Sequence, residues 1–120
     1  MSYFFDSYAI IEAMKASKAY QRFEKEEVVT TAANLEEVFY YCLREGKFAE
    51  YKTALQRLKP TIISPVLDDW EDAALMKFSH KKKNLSLIDC LGYKMAIKNE
   101  LKFLTGDRQF EGFHNVEFVK

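Results

Sequence analysis

The stretch FLTGDRQF, from Phe103 to Phe110, takes an apolar run through a glycine to an aspartate, Asp107. Near the start of the chain, YFFDSYAII does something similar, because Tyr3–Phe5 lead directly into Asp6. Both runs are short and rich in aromatic and β-branched residues, which is typical of buried strands. The sequence therefore predicts two strands, far apart along the chain, that each end on a carboxylate.

Strand-like and helical segments alternate between these two runs. Five short strands are predicted, at Tyr3–Phe5, Val28–Thr30, Thr61–Ile63, Lys102–Thr105 and Val116–Val119. Helices are predicted to begin at Ser7, at Asn34, near Phe48, at Ser64-Pro65 and at Ser86. Such alternation predicts an α/β fold with a mainly parallel sheet of four to five strands, covered by helices on both faces. With 120 residues and no linker or repeat, we expect one domain over residues 1–120.

Four acidic residues are candidates for a shared site. In open parallel sheets, ligands bind outside the carboxyl ends of the strands, where Asp6 and Asp107 are expected to project. Glu37 and Asp89 are expected near the starts of helices. Each acid also has a purely structural interpretation. Asp6 can cap a helix, Glu37 and Asp89 have capping-box spacing from Asn34 and Ser86, and Asp107 can stabilise a turn.

Taken together, the four acids favour a metal site over four separate caps. Carboxylates crowded together raise one another's pKa, and a hard cation bound by oxygen ligands relieves that repulsion. The donor type suits Mg²⁺ or Mn²⁺. Helical periodicity does not decide between Glu36 and Glu37, since both lie away from the centre of the apolar face.

Composition excludes several classes of protein and site. The 18 basic and 18 acidic residues cancel, so the chain is not a simple polycation for coating nucleic acid. Cys42 and Cys90 lack metal-ligand spacing, and we expect reduced core residues in a cytoplasmic protein. No apolar run is long enough for a membrane span and no signal peptide is evident. Acids of the run LDDWEDA, Leu67 to Ala73, are expected to face solvent near a helix start. His80 and His114 are not expected to be catalytic.

Four motifs resemble the PIN domain, in particular the VapC-type toxins of archaea and bacteria. They are FFDSYAIIEAM, NLEEVFYYCLREG, SLIDCLGYKMAIKN and FLTGDRQFEGFHNVEFV, and together they extend along the whole chain. The resemblance implies a three-layer α/β/α fold. It implies an acidic quartet at Asp6, Glu37, Asp89 and Asp107, with Glu37 preferred to Glu36 because the family's glutamate follows Asn-Leu-x. Ser7 and Thr105 match supporting hydroxyl residues. Tyr8 departs from the family pattern, which often has a smaller residue there.

The function implied by this resemblance is a metal-dependent endoribonuclease that uses Mg²⁺ or Mn²⁺. RNA phosphates are expected to contact basic residues, with Lys81, Lys82, Lys83, Lys94 and Arg108 as candidates. Tyr8, Tyr40 and Tyr41 are candidates for stacking on unpaired bases, although a core or interface role is also open. The resemblance further implies a homodimer and an antitoxin partner. A stand-alone RNA-processing nuclease and an inactive PIN-fold interaction module are the alternatives. A phosphatase with an aspartate nucleophile is disfavoured, because Tyr8 occupies the position of its second aspartate.

Overall fold

The computed structural model describes residues 2–120 and is built around a parallel five-stranded sheet. In chain order, the strands are β1 (Tyr3–Phe5), β2 (Val28–Thr30), β3 (Thr61–Ile62), β4 (Lys102–Thr105) and β5 (Val116–Phe118). The α-helices within residues 2–120 are α1 (Ser7–Met14), α2 (Ala32–Arg44), α3 (Phe48–Leu58), α4 (Leu67–Ser79) and α5 (Leu87–Lys98). Short 3₁₀ helices cover Lys18–Phe23 and Arg108–Phe110.

The first strand lies at the centre of the sheet. The spatial order is β3-β2-β1-β4-β5, and every adjacent pair is parallel. Phe5 of β1 is opposite Leu104 of β4. Because β1 and β4 are neighbours in register, the residues that follow them emerge side by side at the same edge.

Helices cover both faces of the sheet, as the alternating pattern predicted. Successive strand residues point to opposite faces, so Phe4 and Phe5 enter different cores. Phe4 packs with residues of α4 and α5, whereas Phe5 packs with residues of α1, α2 and α3. The expectation of a three-layer α/β/α fold with a mainly parallel sheet is therefore confirmed.

Helix α2 begins earlier than predicted. Its N-cap is Thr31, whose hydroxyl oxygen accepts a hydrogen bond from the Asn34 backbone N–H at 3.2 Å. The predicted start at Asn34, and with it the Asn34–Glu37 capping box, is wrong. Asn34 is instead the third residue of the helix and is buried. Its side chain is thereby released from capping and is available for contacts with other elements.

Helix α4 begins later than predicted. The Ser64-Pro65 signal is followed by extended backbone, and the first helical residue is Leu67. The Asp69 carboxylate accepts a hydrogen bond from the Val66 N–H at 2.8 Å and so stabilises that start. The expectation that Asp69 faces solvent is also wrong, since it is only 6% exposed and pairs with Lys98 at 3.0 Å. That lysine lies on α5, far away in sequence, so the local sequence pattern around Asp69 could not predict the pairing.

Several other sequence expectations hold. Asp6 caps α1. Ser86 caps α5 and forms a capping box with Asp89. Strands β3 and β5 are also present, but each ends one residue earlier than predicted. Cys42 and Cys90 are free thiols buried in opposite cores. Within residues 2–120, every helix is too short or too polar to cross a lipid bilayer.

Candidate active site

Two aspartates meet where the central strands end. Asp6 follows β1 directly, and Asp107 comes two residues after β4. The Asp6 backbone N–H donates to the Leu104 carbonyl at 3.2 Å, which extends the pairing of the two strands to the point where the acids begin. Parallel pairing thus brings together side chains from opposite ends of the sequence.

A third aspartate joins them from the start of α5. Asp6, Asp107 and Asp89 line one cavity of about 430 Å³, which we call the acid pocket. Its lining residues are Asp6, Ser7, Tyr8, Asp89, Asp107, Arg108 and Lys120. Three of the four acids predicted from the sequence therefore share one cavity.

Each of these aspartates is held by a backbone hydrogen bond at a helix start. The Asp6 Oδ1 accepts from the Ala9 N–H at 2.8 Å. The Asp89 Oδ2 accepts from the Ser86 N–H at 2.8 Å, and the Asp107 Oδ1 accepts from the Gln109 N–H at 2.9 Å. A carboxylate has two oxygens, so one can fix the side chain while the other remains able to bind a ligand. The capping and ligand-binding interpretations of these acids are therefore compatible.

Burial makes the acid pocket electrostatically costly. Desolvation is the main cause that raises the pKa of Asp6 to about 7, and the charges of Asp89 and Asp107 add to it. Hydrogen bonds from the Thr105 side chain and the Ala9 backbone act in the opposite direction. Desolvation likewise raises the pKa of Asp89, with contributions from the charges of Glu37 and Asp107. The charges of the neighbouring acids therefore add to the cost of ionising Asp6 and Asp89 in their buried positions.

The four acids lack an ion-pair partner among the residues that the structure describes. None of the ion pairs formed within residues 2–120 includes any of the four acids. Arg108 lines the acid pocket, but its ion pair is with Glu111, at 3.7 Å. Among residues 2–120, the acids of the pocket are therefore without an ion-pair partner and remain available to a bound cation.

Glu37 lies beside the acid pocket rather than inside it. Its Oε1 accepts a hydrogen bond from the Ser7 hydroxyl at 2.6 Å, and Ser7 lines the acid pocket. Glu37 also lines an adjoining apolar groove, which we call the tyrosine groove. That groove is lined by Ser7, Ile11, Glu36, Glu37, Tyr40, Tyr41, Arg44 and Ile88. Glu36 is exposed, so only Glu37 is tied to the residues of the acid pocket.

The donor set fits a hard divalent cation. All of the candidate ligands are carboxylate oxygens, which Mg²⁺ and Mn²⁺ prefer. Across residues 2–120, however, no three Asp, Glu, His or Cys side chains lie close enough together to hold a metal ion by themselves. Mg²⁺ commonly binds through one or two carboxylates and retains several waters, so a set this open still suits it.

The end of β4 is packed too tightly for a side chain at Gly106. A Cβ there would lie 2.2 Å from the Tyr8 ring and 2.5 Å from the Val119 carbonyl oxygen. Just before it, the buried Thr105 hydroxyl oxygen accepts from the Asp107 N–H at 3.0 Å. Gly106 and Thr105 therefore fix the turn that presents Asp107, and this turn requires glycine.

The predicted RNA-contacting cations are divided among three places. Arg108 lines the acid pocket, whereas Lys81, Lys82 and Lys83 line a separate depression with Ser79 and His80. Lys94 is half-buried on α5. Sequence reasoning missed Lys120, which lines the acid pocket with its Nζ 5.2 Å from the centre of the Tyr8 ring. The signal for it was the parallel β5, because residues after that strand reach the same sheet edge as Asp107.

The remaining aromatic and histidine candidates are also separated. Tyr8 lines the acid pocket, while Tyr40 and Tyr41 line the tyrosine groove. His80 contacts the Met76 carbonyl through Nδ1, and His114 contacts the Tyr93 hydroxyl. Both histidines make their hydrogen bonds outside the acid pocket.

Comparison with known proteins identifies the family. The family model of the PIN domain matches residues 3–116. No curated protein matches the chain significantly.

Several solved structures share the fold. A toxin–antitoxin complex from Klebsiella pneumoniae has 18% sequence identity and a TM-score of 0.76, and the match covers 97% of this chain and 96% of that chain. VapC20 from Mycobacterium tuberculosis, described as a toxin that cleaves the sarcin–ricin loop, has 17% identity and a TM-score of 0.79, with 99% and 100% covered. VapBC2 from Rickettsia felis, bound to a promoter DNA fragment, has 16% identity and a TM-score of 0.77, with both chains fully covered at 100%.

Proposed function

The chain belongs to the PIN-domain family, and on that premise we propose that it is a metal-dependent endoribonuclease that hydrolyses RNA phosphodiester bonds. The observation that carries the proposal is the acid pocket, where Asp6, Asp89 and Asp107 share one cavity and form no ion pair with any residue from 2 to 120. The family match supports a nuclease, and the donor chemistry supports Mg²⁺ or Mn²⁺ as the cofactor.

The four acids have two different parts in this proposal. Asp6, Asp89 and Asp107 would hold one or two cations, and Glu37 would orient a metal ligand from the side that Ser7 fixes. The cation, when bound, would lower the pKa of a coordinated water and neutralise charge on the phosphate oxygens. The aspartates are already oriented by their backbone hydrogen bonds, so little reorganisation would accompany binding.

RNA binding is proposed to depend on the rim of the acid pocket. Arg108 and Lys120 line it and are placed to contact the phosphates that flank the scissile bond. The Tyr8 ring, also part of the lining, offers a surface on which an unpaired base can stack. Lys81, Lys82, Lys83 and Lys94 remain candidates for contacts with more distant nucleotides.

We propose further that the protein is the toxin of a toxin–antitoxin pair. The support is likeness of fold to a toxin–antitoxin complex and to a toxin described as cleaving the sarcin–ricin loop. On this proposal, residues 1–120 form one PIN domain that acts in the cytoplasm, dimerises and is inhibited by a small antitoxin. Two buried free cysteines are in keeping with a reducing compartment.

The second candidate is a PIN-fold interaction module without catalysis. The open arrangement of the acids within residues 2–120, with no closed set of three metal ligands, favours this candidate. A stand-alone RNA-processing nuclease would share the chemistry of the first proposal and differ only in lacking an antitoxin.

A cleavage assay tests the proposal. We expect the purified protein to cut a single-stranded RNA with Mn²⁺ or Mg²⁺ and to lose activity with a chelator. The Asp6→Asn, Asp107→Asn double variant should be inactive, and Asp68→Asn, at an exposed position on α4, serves as the matched control. Equal cleavage by the double variant would place the activity elsewhere or in a contaminant. No cleavage by the parent, with full binding of a partner protein, would favour the interaction module.

A further inference from the structure

Four polar side chains form a continuous hydrogen-bonded chain between the starts of α2 and α1. The Thr31 hydroxyl donates to the Asn34 Oδ1 at 2.6 Å, and the Asn34 Nδ2 donates to the Ser7 Oγ at 3.0 Å. The Ser7 hydroxyl then donates to the Glu37 Oε1 at 2.6 Å. We call this chain of Thr31, Asn34, Ser7 and Glu37 the polar relay.

The direction of the relay is fixed at its buried end. Thr31 and Asn34 are 0% and 2% exposed, so their polar atoms must find partners inside the protein. The Thr31 hydroxyl oxygen accepts from the Asn34 backbone N–H, which leaves its proton for the Asn34 Oδ1. The Asn34 carbonyl oxygen therefore faces Thr31, and its amide nitrogen faces Ser7.

This orientation decides where the Ser7 proton goes. A hydroxyl has one proton, and the Ser7 Oγ already accepts from Asn34. Two acceptors are within reach, the Glu37 Oε1 at 2.6 Å and the Asn34 backbone carbonyl at 3.4 Å. The first is much shorter and leads to a carboxylate, so it is the stronger bond. Were the Asn34 amide reversed, its oxygen would compete with Glu37 for the same proton.

Capping does not account for the Asn34 side chain. The N-terminus of α2 is capped by Thr31, and the Asn34 amide group instead reaches α1. Burying an amide without partners is costly, so a residue kept here must have its hydrogen bonds satisfied. Besides accepting the hydrogen bond from the Thr31 hydroxyl, the Asn34 side chain donates one to the Ser7 Oγ.

We propose that Asn34 is a positioning residue that, through the Ser7 hydroxyl, sets the orientation of the Glu37 carboxylate beside the acid pocket. This inference deepens the proposed function and rests on it for the relevance of Glu37. The charge of Glu37 acts on Asp89, so the direction in which Glu37 points changes the field in the pocket. Groups that orient metal ligands are commonly worth about 10- to 100-fold in metal affinity or activity.

A double-mutant cycle tests the relay with two independent readouts. The variants are Asn34→Ala, Ser7→Ala and Glu37→Gln, together with the two double variants that combine Asn34→Ala with Ser7→Ala or with Glu37→Gln. We measure Mn²⁺ affinity by titration calorimetry and kcat and KM for cleavage of a single-stranded RNA. Each single variant should lower Mn²⁺ affinity or kcat by about 10-fold with KM nearly unchanged. When Asn34→Ala is added to Ser7→Ala or to Glu37→Gln, Mn²⁺ affinity and kcat should fall by less than about a further twofold, because the effects of coupled residues are not additive.

Rescue and control variants separate positioning from stability. Ser7→Thr keeps a hydroxyl and should retain most of the parent's kcat and Mn²⁺ affinity. Asn99→Ala removes an exposed asparagine whose amide donates to the Met95 carbonyl at the end of α5, and it should change neither readout. If Asn34→Ala does not fold, the contrast between Ser7→Ala and Ser7→Thr decides the matter.

The outcomes distinguish this inference from the proposed function. A parent that cleaves RNA while Asn34→Ala affects only the melting temperature, or adds fully to Ser7→Ala, overturns the relay and leaves the nuclease intact. A parent that cleaves no RNA while the cycle on Mn²⁺ affinity shows coupling overturns the nuclease and supports the relay. A parent that neither binds Mn²⁺ nor cleaves RNA overturns both.

Discussion

Asp6 and Asp69 are both buried carboxylates at helix starts, yet their surroundings are opposite. They are 4% and 6% exposed, and each accepts a backbone N–H at 2.8 Å. Asp69 also binds the Lys98 ammonium group, at 3.0 Å from its Oδ2. Within the described part of the chain, Asp6 has no such cationic partner, and it lines the same cavity as Asp89 and Asp107 instead.

The difference appears in the pKa of each group. The Val66 backbone hydrogen bond, assisted by Lys98, lowers the pKa of Asp69 in spite of its burial. Desolvation, assisted by two neighbouring aspartates, raises the pKa of Asp6 to about 7. A buried acid with an internal cation is an ordinary structural device. One without a cation, beside two further acids in a cavity, indicates a binding site.

The largest expected effect separates the two carboxylates by activity. Asp6→Asn, which removes a proposed metal ligand, should lower kcat for RNA cleavage on the order of 10³-fold, since metal-assisted charge stabilisation is worth several kcal/mol. Asp69→Asn should leave kcat within about twofold, because Asp69 contacts α5 rather than the acid pocket. Initial rates with Mn²⁺ measure both, on protein confirmed as folded. Equal losses in the two variants would break the distinction.

The second effect separates them by response to metal. Mn²⁺ at about 100 times its dissociation constant should stabilise the parent by about 2.7 kcal/mol, which raises the melting temperature by roughly 10 °C. Asp69→Asn should keep this shift, whereas the Asp6→Asn, Asp107→Asn double variant should lose it. Thermal melts with and without Mn²⁺ provide the measurement. A shift that persists in the double variant would place the cation elsewhere.

The third effect is opposite in sign for the two sites in metal-free protein. Asp69→Asn weakens the bond to Lys98 and should lower the free energy of unfolding by about 1–2 kcal/mol, discounted because the lysine is half exposed. Asp6→Asn removes a buried charge that has no cation and should raise the free energy of unfolding above neutral pH. Urea denaturation with chelator at about pH 8 compares them. Destabilisation of similar size in both would contradict the proposed contrast.

A fourth effect sharpens the third by its pH dependence. The folded-state pKa of Asp6, about 7, exceeds its ordinary value of 3.8, so the folded protein binds the extra proton between these values. Stability from this group is therefore lost as pH rises through that window. The pKa of Asp69 is lowered, so its contribution is present above its ordinary value and is lost only as pH falls through the folded value.

The measurement for this prediction is the difference in unfolding free energy between Asp6→Asn and the parent, both free of metal. The difference should be small near about pH 4 and grow until about pH 7. Asp69→Asn should show no such growth over the same range. A flat difference for Asp6→Asn would mean that Asp6 is not desolvated in solution.

The elements of the fold could largely be predicted from the sequence because their signals are local. Aromatic and β-branched runs mark β1, β2 and β4, and the Ser86–Asp89 capping box marks the start of α5. The convergence of Asp6 and Asp107 also followed, since parallel strands present their carboxyl ends at one edge.

The parts that could not be predicted depend on distant partners. Asp69 was expected in solvent because the lysine that pairs with it is on another helix. Asn34 was expected to begin α2, because an asparagine before an apolar run is a common cap signal. Thr31 has the same capping ability, and only the contact with Ser7 on α1 shows what the Asn34 side chain does instead. Periodicity alone left Glu36 and Glu37 open, and the family resemblance preferred Glu37. In the structure, Glu37 is the one that accepts a hydrogen bond from the Ser7 hydroxyl.

The central position of β1 in the sheet also affects how the protein folds during its synthesis. Asp6 is synthesised about a hundred residues before Asp107, and the two can meet only after β4 has been made and has paired beside β1. Such a long-range pairing is slow compared with local helix formation. A nascent chain therefore carries an incomplete pocket until β4 has been synthesised, and a product truncated before β4 could not assemble one.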